Sequence, residues 1–464
     1  MSDVLLLVPE IVLVAAALGL LLVARRLERA RAAATLVVLT AGAAMAAGFA
    51  WPSPEAGFGG ILAGDGYARF FDVLFLATLA TSTLLSIRHV DSDRVRPGEF
   101  YALLLLAATG MLLAASAMDL IVLYLSLELM TLCSYVLVGI TREKKASIEG
   151  AVKYFLLGSF ASAILLYGIA LTYGITGATG FTSIASGATE NTGNPLLLSG
   201  VVLVVLGLAF KIAAVPFHAW APDAYQGASA PVAAFLASGS KAAGLAALVR
   251  VCMVGFAPEH GLWSNVLIAL AAMSILLGSL VALSQTNMKR LLAYSSISHA
   301  GYALLGLIAG TPDGASATMM YSFVYAFMTL GAFGIVIALD RRGENLSDYH
   351  GLARTNPGAA ALMFLFLLSL TGIPPTAGFA AKFAVILSVV GQGHVGLAVL
   401  AVLCSVISAF FYLRIAVYMY MTDPEGEAPG RFPSTVSAAL LVAALVTIIG
   451  GVLPDTLAAW TVPP

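Results

Sequence analysis

Long apolar stretches alternate along this chain with short polar or charged runs, and the stretches have the length of bilayer crossings. The hydrocarbon layer is about 30 Å thick and a helix rises about 1.5 Å per residue, so one crossing takes about 20 apolar residues. Lipid gives backbone groups no water partner, and a helix satisfies them internally. The pattern predicts spans at 4–24, 34–51, 68–87, 99–116, 118–140, 148–174, 195–216, 230–253, 263–283, 292–310, 315–339, 358–390, 396–421 and 434–453. The expected fold class is all-α, a polytopic membrane helix bundle of about 14 transmembrane helices.

The loops check that count, because basic residues gather on the inner side of a membrane. One alternate set of loops holds Arg25, Arg26, Arg29 and Arg31; Arg88, Arg94 and Arg96; Arg142, Lys144 and Lys145; Lys289 and Arg290; Arg341, Arg342 and Arg354; and Arg431. The other set is nearly free of basic residues, with Arg69 and Arg250 at span edges. Both termini are therefore expected on the outer side.

Two spans contain helix breakers. The seventh runs into Val215-Pro216-Phe217-His218 and the twelfth contains Gly372-Ile373-Pro374-Pro375. Proline removes a backbone donor and clashes with the preceding turn, so each span is expected to be a broken helix, an ordinary kink being the simpler alternative. Spans four to eight begin inside and spans nine to thirteen begin outside, with the breaker in the fourth member of each group. That is the layout of two inverted five-helix repeats, and broken helices in matching positions point to a transport pathway. The expected division is an N-terminal three-helix segment at 1–98, a first repeat at 99–255, a second at 262–421 and a C-terminal helix at 434–464.

Composition agrees: 60% of the 464 residues are hydrophobic and 10% charged, against roughly 25% charged in a soluble domain. The net charge of -1 offers no basic field for nucleic acid. Cys133, Cys252 and Cys404 sit in separate spans, which fits packing rather than a disulfide, zinc or iron–sulfur pattern. No phosphate loop, dinucleotide fingerprint or metal-ligand spacing occurs, so neither a cofactor site nor a metal site is expected in this chain. The N-terminus lacks the basic region of a signal peptide and reads as an uncleaved first helix.

The informative residues are charges inside the apolar stretches. Of seven lysines, Lys153, Lys211, Lys241 and Lys382 fall within spans, at a cost of roughly 2.5–3.5 kcal/mol each near a helix centre. Snorkelling is the plain explanation, and it fits best for Lys153, close to the inner end of its span. Glu128, in Leu125-Ser126-Leu127-Glu128, is the one acidic residue read as lying well inside a span, and an ion pair between Glu128 and Lys153 is feasible. A lysine taken out of water holds its proton less tightly and a nearby carboxylate restores the hold, so moving the partner loads or unloads a proton. His218, after the first breaker, and His299, in Ser295-Ser296-Ile297-Ser298-His299-Ala300-Gly301-Tyr302, either relay protons or serve as hydrogen-bonded packing elements.

At these residues the chain resembles the antiporter-like subunits of respiratory complex I and the related multisubunit cation/proton antiporters. The likeness is carried by Leu125-Ser126-Leu127-Glu128-Leu129-Met130, Val152-Lys153-Tyr154-Phe155, Lys211 with Val215-Pro216-Phe217-His218-Ala219-Trp220-Ala221-Pro222-Asp223-Ala224, Ser240-Lys241-Ala242-Ala243-Gly244, and Gln285 through His299. Gly372-Ile373-Pro374-Pro375-Thr376-Ala377-Gly378-Phe379 followed by Lys382 resembles the N branch of that family, where the M branch carries a glutamate. The resemblance implies that Glu128 and Lys153 form a coupling pair. It further implies that Lys211 and Lys241 carry the proton to the centre, that Lys382 serves the exit half and that His299 belongs to a connecting polar axis. It implies a proton-translocating subunit of a bacterial inner-membrane NADH:quinone oxidoreductase, with FMN, iron–sulfur clusters and quinone in partner subunits. The implied partners are a sister antiporter-like subunit, small helical subunits and the bilayer. The alternative is a subunit of a multisubunit sodium/proton antiporter; a purely structural scaffold would leave the intramembrane lysines without a purpose.

Overall fold

The computed structural model describes residues 3–24, 29–50, 55–93, 95–424 and 432–464. Of the basic loop residues, Arg25, Arg26, Arg94 and Arg431 lie outside the described residues, as do the side chains of Arg341 and Arg342. Helices α1 (Val8–Val23), α2 (Ala30–Ala50) and α3 (Gly66–Ser92) are followed by α4 (Pro97–Ser116), α5 (Leu120–Val138) and α6 (Lys145–Thr176). A short α7 (Phe181–Glu190) precedes α8 (Pro195–Lys211), α9 (Trp220–Gly227) and α10 (Ala230–Gly255). The remainder are α11 (His260–Ala282), α12 (Met288–Ile308), α13 (Pro312–Ala338), α14 (Pro357–Thr371), α15 (Ala377–Gly391), α16 (Val395–Met421) and α17 (Ser434–Val452). Among the described residues 12 helices are long and apolar enough to cross a membrane. With α8–α9 and α14–α15 as two broken crossings, this gives the expected fourteen.

Helix starts follow local chemistry. Asp65, Asp119, Asn194, Asn287 and Asn356 accept backbone N–H groups at the heads of α3, α5, α8, α12 and α14, and prolines open α4, α8, α13 and α14, where a missing N–H costs nothing. The short α7 and a hairpin pairing Ala56–Gly57 with Leu62–Ala63 were not read from the hydrophobic pattern, since neither is long or apolar enough to register.

Burial sorts the helices into centre and rim. The apolar windows of α10, α12 and α13 are 100%, 94% and 94% buried, against 28% for the N-terminal helix and 39% for α6 and α16. The rim helices turn large apolar side chains outward, among them Leu22, Phe160 and Val406, as lipid requires. The three central helices carry Lys241, His299 and the tyrosines Tyr302, Tyr321 and Tyr325 that surround the imidazole.

Both proline-containing segments interrupt the helix outright. The seventh crossing ends at Lys211, five residues before the expected 216, and resumes as α9; Val215-Pro216 is cis. The exposed backbone finds protein partners: the Val215 amide donates to Ser274 Oγ at 2.8 Å and Trp220 Nε1 donates to the Phe210 carbonyl at 3.2 Å. In the twelfth crossing α14 ends at Gly372, whose φ of 87° suits the left-handed cap that glycine favours, and Pro374-Pro375 is cis. Irregular backbone at membrane depth persists where such partners exist.

Candidate functional site

Glu128 projects from α5 toward Lys211, the last residue of α8. Their charged groups lie 3.0 Å apart, with the lysine side chain 1% exposed. Thr131, one turn along α5 from Glu128, lies 3.2 Å from Lys211 Nζ, and Ser162 of α6 donates to the carboxylate at 2.5 Å.

The expected Glu128–Lys153 pair does not form. Lys153 reaches toward the basic-loop end of the bundle and pairs with Glu149 at 2.7 Å and Asp223 at 2.9 Å. Helical phase explains this: Ser162, nine residues on, faces Glu128, which puts Lys153 about 180° round α6. The neighbouring Tyr154 fills the inward face, stacked on Trp220 at 4.2 Å between ring centroids. Asp223 also holds Arg290 at 2.8 Å, so one carboxylate of α9 ties α6 to α12.

Helix α10 approaches Lys211 at Gly244. A Cβ on Gly244 would lie 3.1 Å from Lys211 Cβ, so this glycine lets α10 close on the lysine stem one turn from Lys241. Lys241 Nζ donates to both the carbonyl and the hydroxyl of Ser296, at 2.8 and 2.7 Å. Helix α10 has π-type turns at Leu236–Ser240 and Val251–Gly255, bracketing the segment that begins at Lys241; π-turns recur at functional positions.

From Ser296 the polar row continues along α12 at helical spacing. His299 lies one turn on, with Nδ1 2.6 Å from the Tyr321 hydroxyl and Nε2 3.3 Å from that of Tyr412. Tyr302, a further turn on, lies under Lys382, whose Nζ is 4.7 Å from the ring centroid. Lys382 Nζ donates to the carbonyls of Leu370 and Thr371, both at 2.9 Å, and reaches Ser405 Oγ at 3.3 Å. These carbonyls belong to the broken end of α14, where an ammonium suits the free acceptors and the negative end of the helix dipole. His218 stays apart, half-buried in the first break.

Spacing along α12 could have singled out Ser296 and Tyr302 beforehand; Asp223 lay within a quoted motif without a role. Two further carboxyls were overlooked: Glu10, in the first turn of α1, and Asp72, in α3, have Oε2 and Oδ1 buried and unpartnered among the described residues. At the basic-loop end a cavity of about 580 Å³ opens among α3, α9, α10, α12 and α13. Its cations are paired: Lys144 with Asp93 at 2.7 Å, Arg88 with Asp340 at 3.1 Å and the buried Lys289 with Glu344 at 3.1 Å.

Residues 117–408 match the family described as NADH:quinone oxidoreductase/Mrp antiporter, TM. The chain is 44% identical over 457 residues to NADH-quinone oxidoreductase subunit N 2 of Rhizobium meliloti (strain 1021), covering 96% of this chain and 94% of the relative. Among solved structures, a chain of respiratory complex I from Thermus thermophilus with bound aureothin is 34% identical, with a TM-score of 0.84 over 97% of this chain and 98% of that one. A chain of the Mrp complex from Dietzia sp. superposes with a TM-score of 0.88 at 24% identity, over 99% and 96% of the two chains, a likeness of fold alone. By sequence along nearly its whole length and by fold, the chain belongs to the antiporter-like membrane subunits of NADH:quinone oxidoreductase, in their subunit N branch.

Proposed function

We propose that this chain, as a membrane-arm subunit of a proton-pumping NADH:quinone oxidoreductase, moves protons along Glu128, Lys211, Lys241, His299 and Lys382. The observation that carries this reading is the α12 rail. Ser296 holds Lys241, His299 is bonded to two tyrosines and Tyr302 lies under Lys382, three successive turns of one buried helix. A lysine held only by neutral oxygens gives up a proton more readily than one held by a carboxylate. The Glu128–Lys211 pair is therefore the loading end: a charge arriving from a neighbouring subunit that draws Glu128 away frees the Lys211 proton for the row. Lys153 acts with Asp223 as a charge cluster bearing on α9 rather than as a carrier, and His218 flanks the break.

In this reading FMN, the iron–sulfur clusters and quinone reside in partner subunits. A sister antiporter-like subunit and small helical subunits adjoin this one, and both termini face the periplasm. Residues 99–255 and 262–421 act as inverted repeats, with 1–98 and 434–464 outside them. A sodium/proton antiporter subunit is the rival, and mild solubilisation separates the two: NADH-oxidising subunits should co-purify, not other small antiporter subunits. The direct test is Lys241→Ala in the assembled complex. Electron transfer coupled to proton translocation should fall while the subunit remains assembled, and an unchanged proton yield per NADH would refute the row.

A further inference from the structure

Most buried hydroxyls in these helices bond to the carbonyl one turn back: Thr81 to Ala77, Thr109 to Leu105, Ser126 to Val122 and Ser134 to Met130. Helix α3 contains departures from that habit. Thr78 and Ser82 are 0% and 1% exposed, yet neither hydroxyl has a hydrogen-bond partner among the described residues. One turn further, Ser86 Oγ, which donates to the Thr83 carbonyl at 2.8 Å, also lies 3.1 Å from the Tyr101 hydroxyl. Next comes His89, which lines the 580 Å³ cavity and whose Nε2 is also buried without a partner among the described residues.

These four residues form a line. Positions 78, 82, 86 and 89 fall within about 80° of one helical face and span about 16 Å of its length. One end opens on the cavity. The other packs against α10 close to the proton row: a Cβ on Gly239 would lie 3.1 Å from the Thr78 Cγ2 methyl, and Gly239 sits in the π-turn two residues before Lys241. The large majority of buried hydroxyls are satisfied, by protein or by ordered water, because leaving one bare costs about 1–3 kcal/mol.

We propose that Thr78, Ser82 and Ser86 line a file of water that conducts protons from the cavity at the basic-loop end to Lys241. Helix α3 of the N-terminal segment then serves conduction, with water and its excess proton as the ligand. Each hydroxyl both donates and accepts, as a relay needs, and along the file the proton passes from water to water with no net bond made in the protein. The Thr83 hydroxyl, also buried and without a partner among the described residues, lies off this face.

The inference rests on the row proposed above, and two measurements on the assembled complex separate them. A map that shows ordered water should place molecules within hydrogen-bond reach of Thr78 Oγ1 and Ser82 Oγ; hydroxyls turned onto the carbonyls of Leu74 and Thr78 instead would overturn it. The paired variant Thr78→Val with Ser82→Ala keeps volume and apolar packing, so it should assemble, retain NADH oxidation and lose proton yield. Yield lost in Lys241→Ala and unchanged in the paired variant would sink the file and spare the row. Yield unchanged in Lys241→Ala would remove the row itself.

Discussion

The two broken crossings hold their lysines in opposite ways. At the first, Lys211 ends α8 and its ammonium is matched by a full charge, Glu128, at 3.0 Å. At the second, Lys382 lies inside α15 and folds back on the carbonyls that the break has freed, with a hydroxyl and an aromatic face completing its surroundings. A carboxylate can be drawn away by an outside charge, whereas backbone carbonyls cannot move. The first break is thus built to change the hold on its proton, and the second to offer a fixed resting place. The glycines differ accordingly. Gly244 brings a helix up to Lys211, and Gly372 makes room beside Lys382, where a Cβ would sit 2.8 Å from Lys382 Cδ.

The sharpest way to break this contrast is Lys211→Met. It removes the cation and leaves Glu128 with no compensating charge, which costs about 3–5 kcal/mol at a buried pair. The temperature at which the subunit leaves the solubilised complex should drop markedly, along with proton yield. Adding Glu128→Gln should recover much of the thermal loss without restoring the yield, since replacing both partners removes the stranded charge. A double variant as unstable as the single one would mean that Glu128 is not held by Lys211.

Lys382→Met should be gentler on stability. No charge is stranded, and the loss is confined to carbonyls without a donor, about 1–3 kcal/mol. Proton yield should fall as far as in Lys211→Met, so the two variants should match in pumping and differ in melting. Gly372→Ala tests the same pocket from the backbone side. With φ at 87° and Lys382 in the way, an added methyl should displace the ammonium and reduce the yield with NADH oxidation kept.

Much of this was legible in the chain because insertion costs act locally. Apolar runs of crossing length, basic residues in alternate loops and the prolines at 216 and 374–375 set the helix count and the breaks. Lys211, Lys241 and Lys382 stood out by their price in lipid. What the chain could not show was phase between helices. Glu128 and Lys153 lie at workable depths on adjacent helices, yet the side of α6 that meets α5 carries Ser162, and only packing decides that. The α12 rail was half legible: His299 was noticed for its titratable ring, whereas Ser296 and Tyr302 matter through what they touch. Glu10, Asp72 and the α3 hydroxyls passed unremarked because short polar residues near helix ends or among alanines are ordinary.

The smallest effect should come from Asp223→Asn. This carboxylate belongs to neither break, and its partners Lys153 and Arg290 are partly open, with side chains 44% and 31% exposed. Solvent screens such pairs, so melting should barely move. Yet Asp223 lies on α9, the segment that resumes the first crossing, and its two partners fix that segment to α6 and α12. If the first break works by changing its hold on Lys211, loosening α9 should lower proton yield slightly in this variant and leave the rate of NADH oxidation unchanged. The deficit should widen at high salt, where the Glu149–Lys153 pair is weakened too. A yield equal to that of the unsubstituted complex at every salt concentration would separate the α9 cluster from the pathway and leave the Glu128–Lys211 pair to act on the row without it.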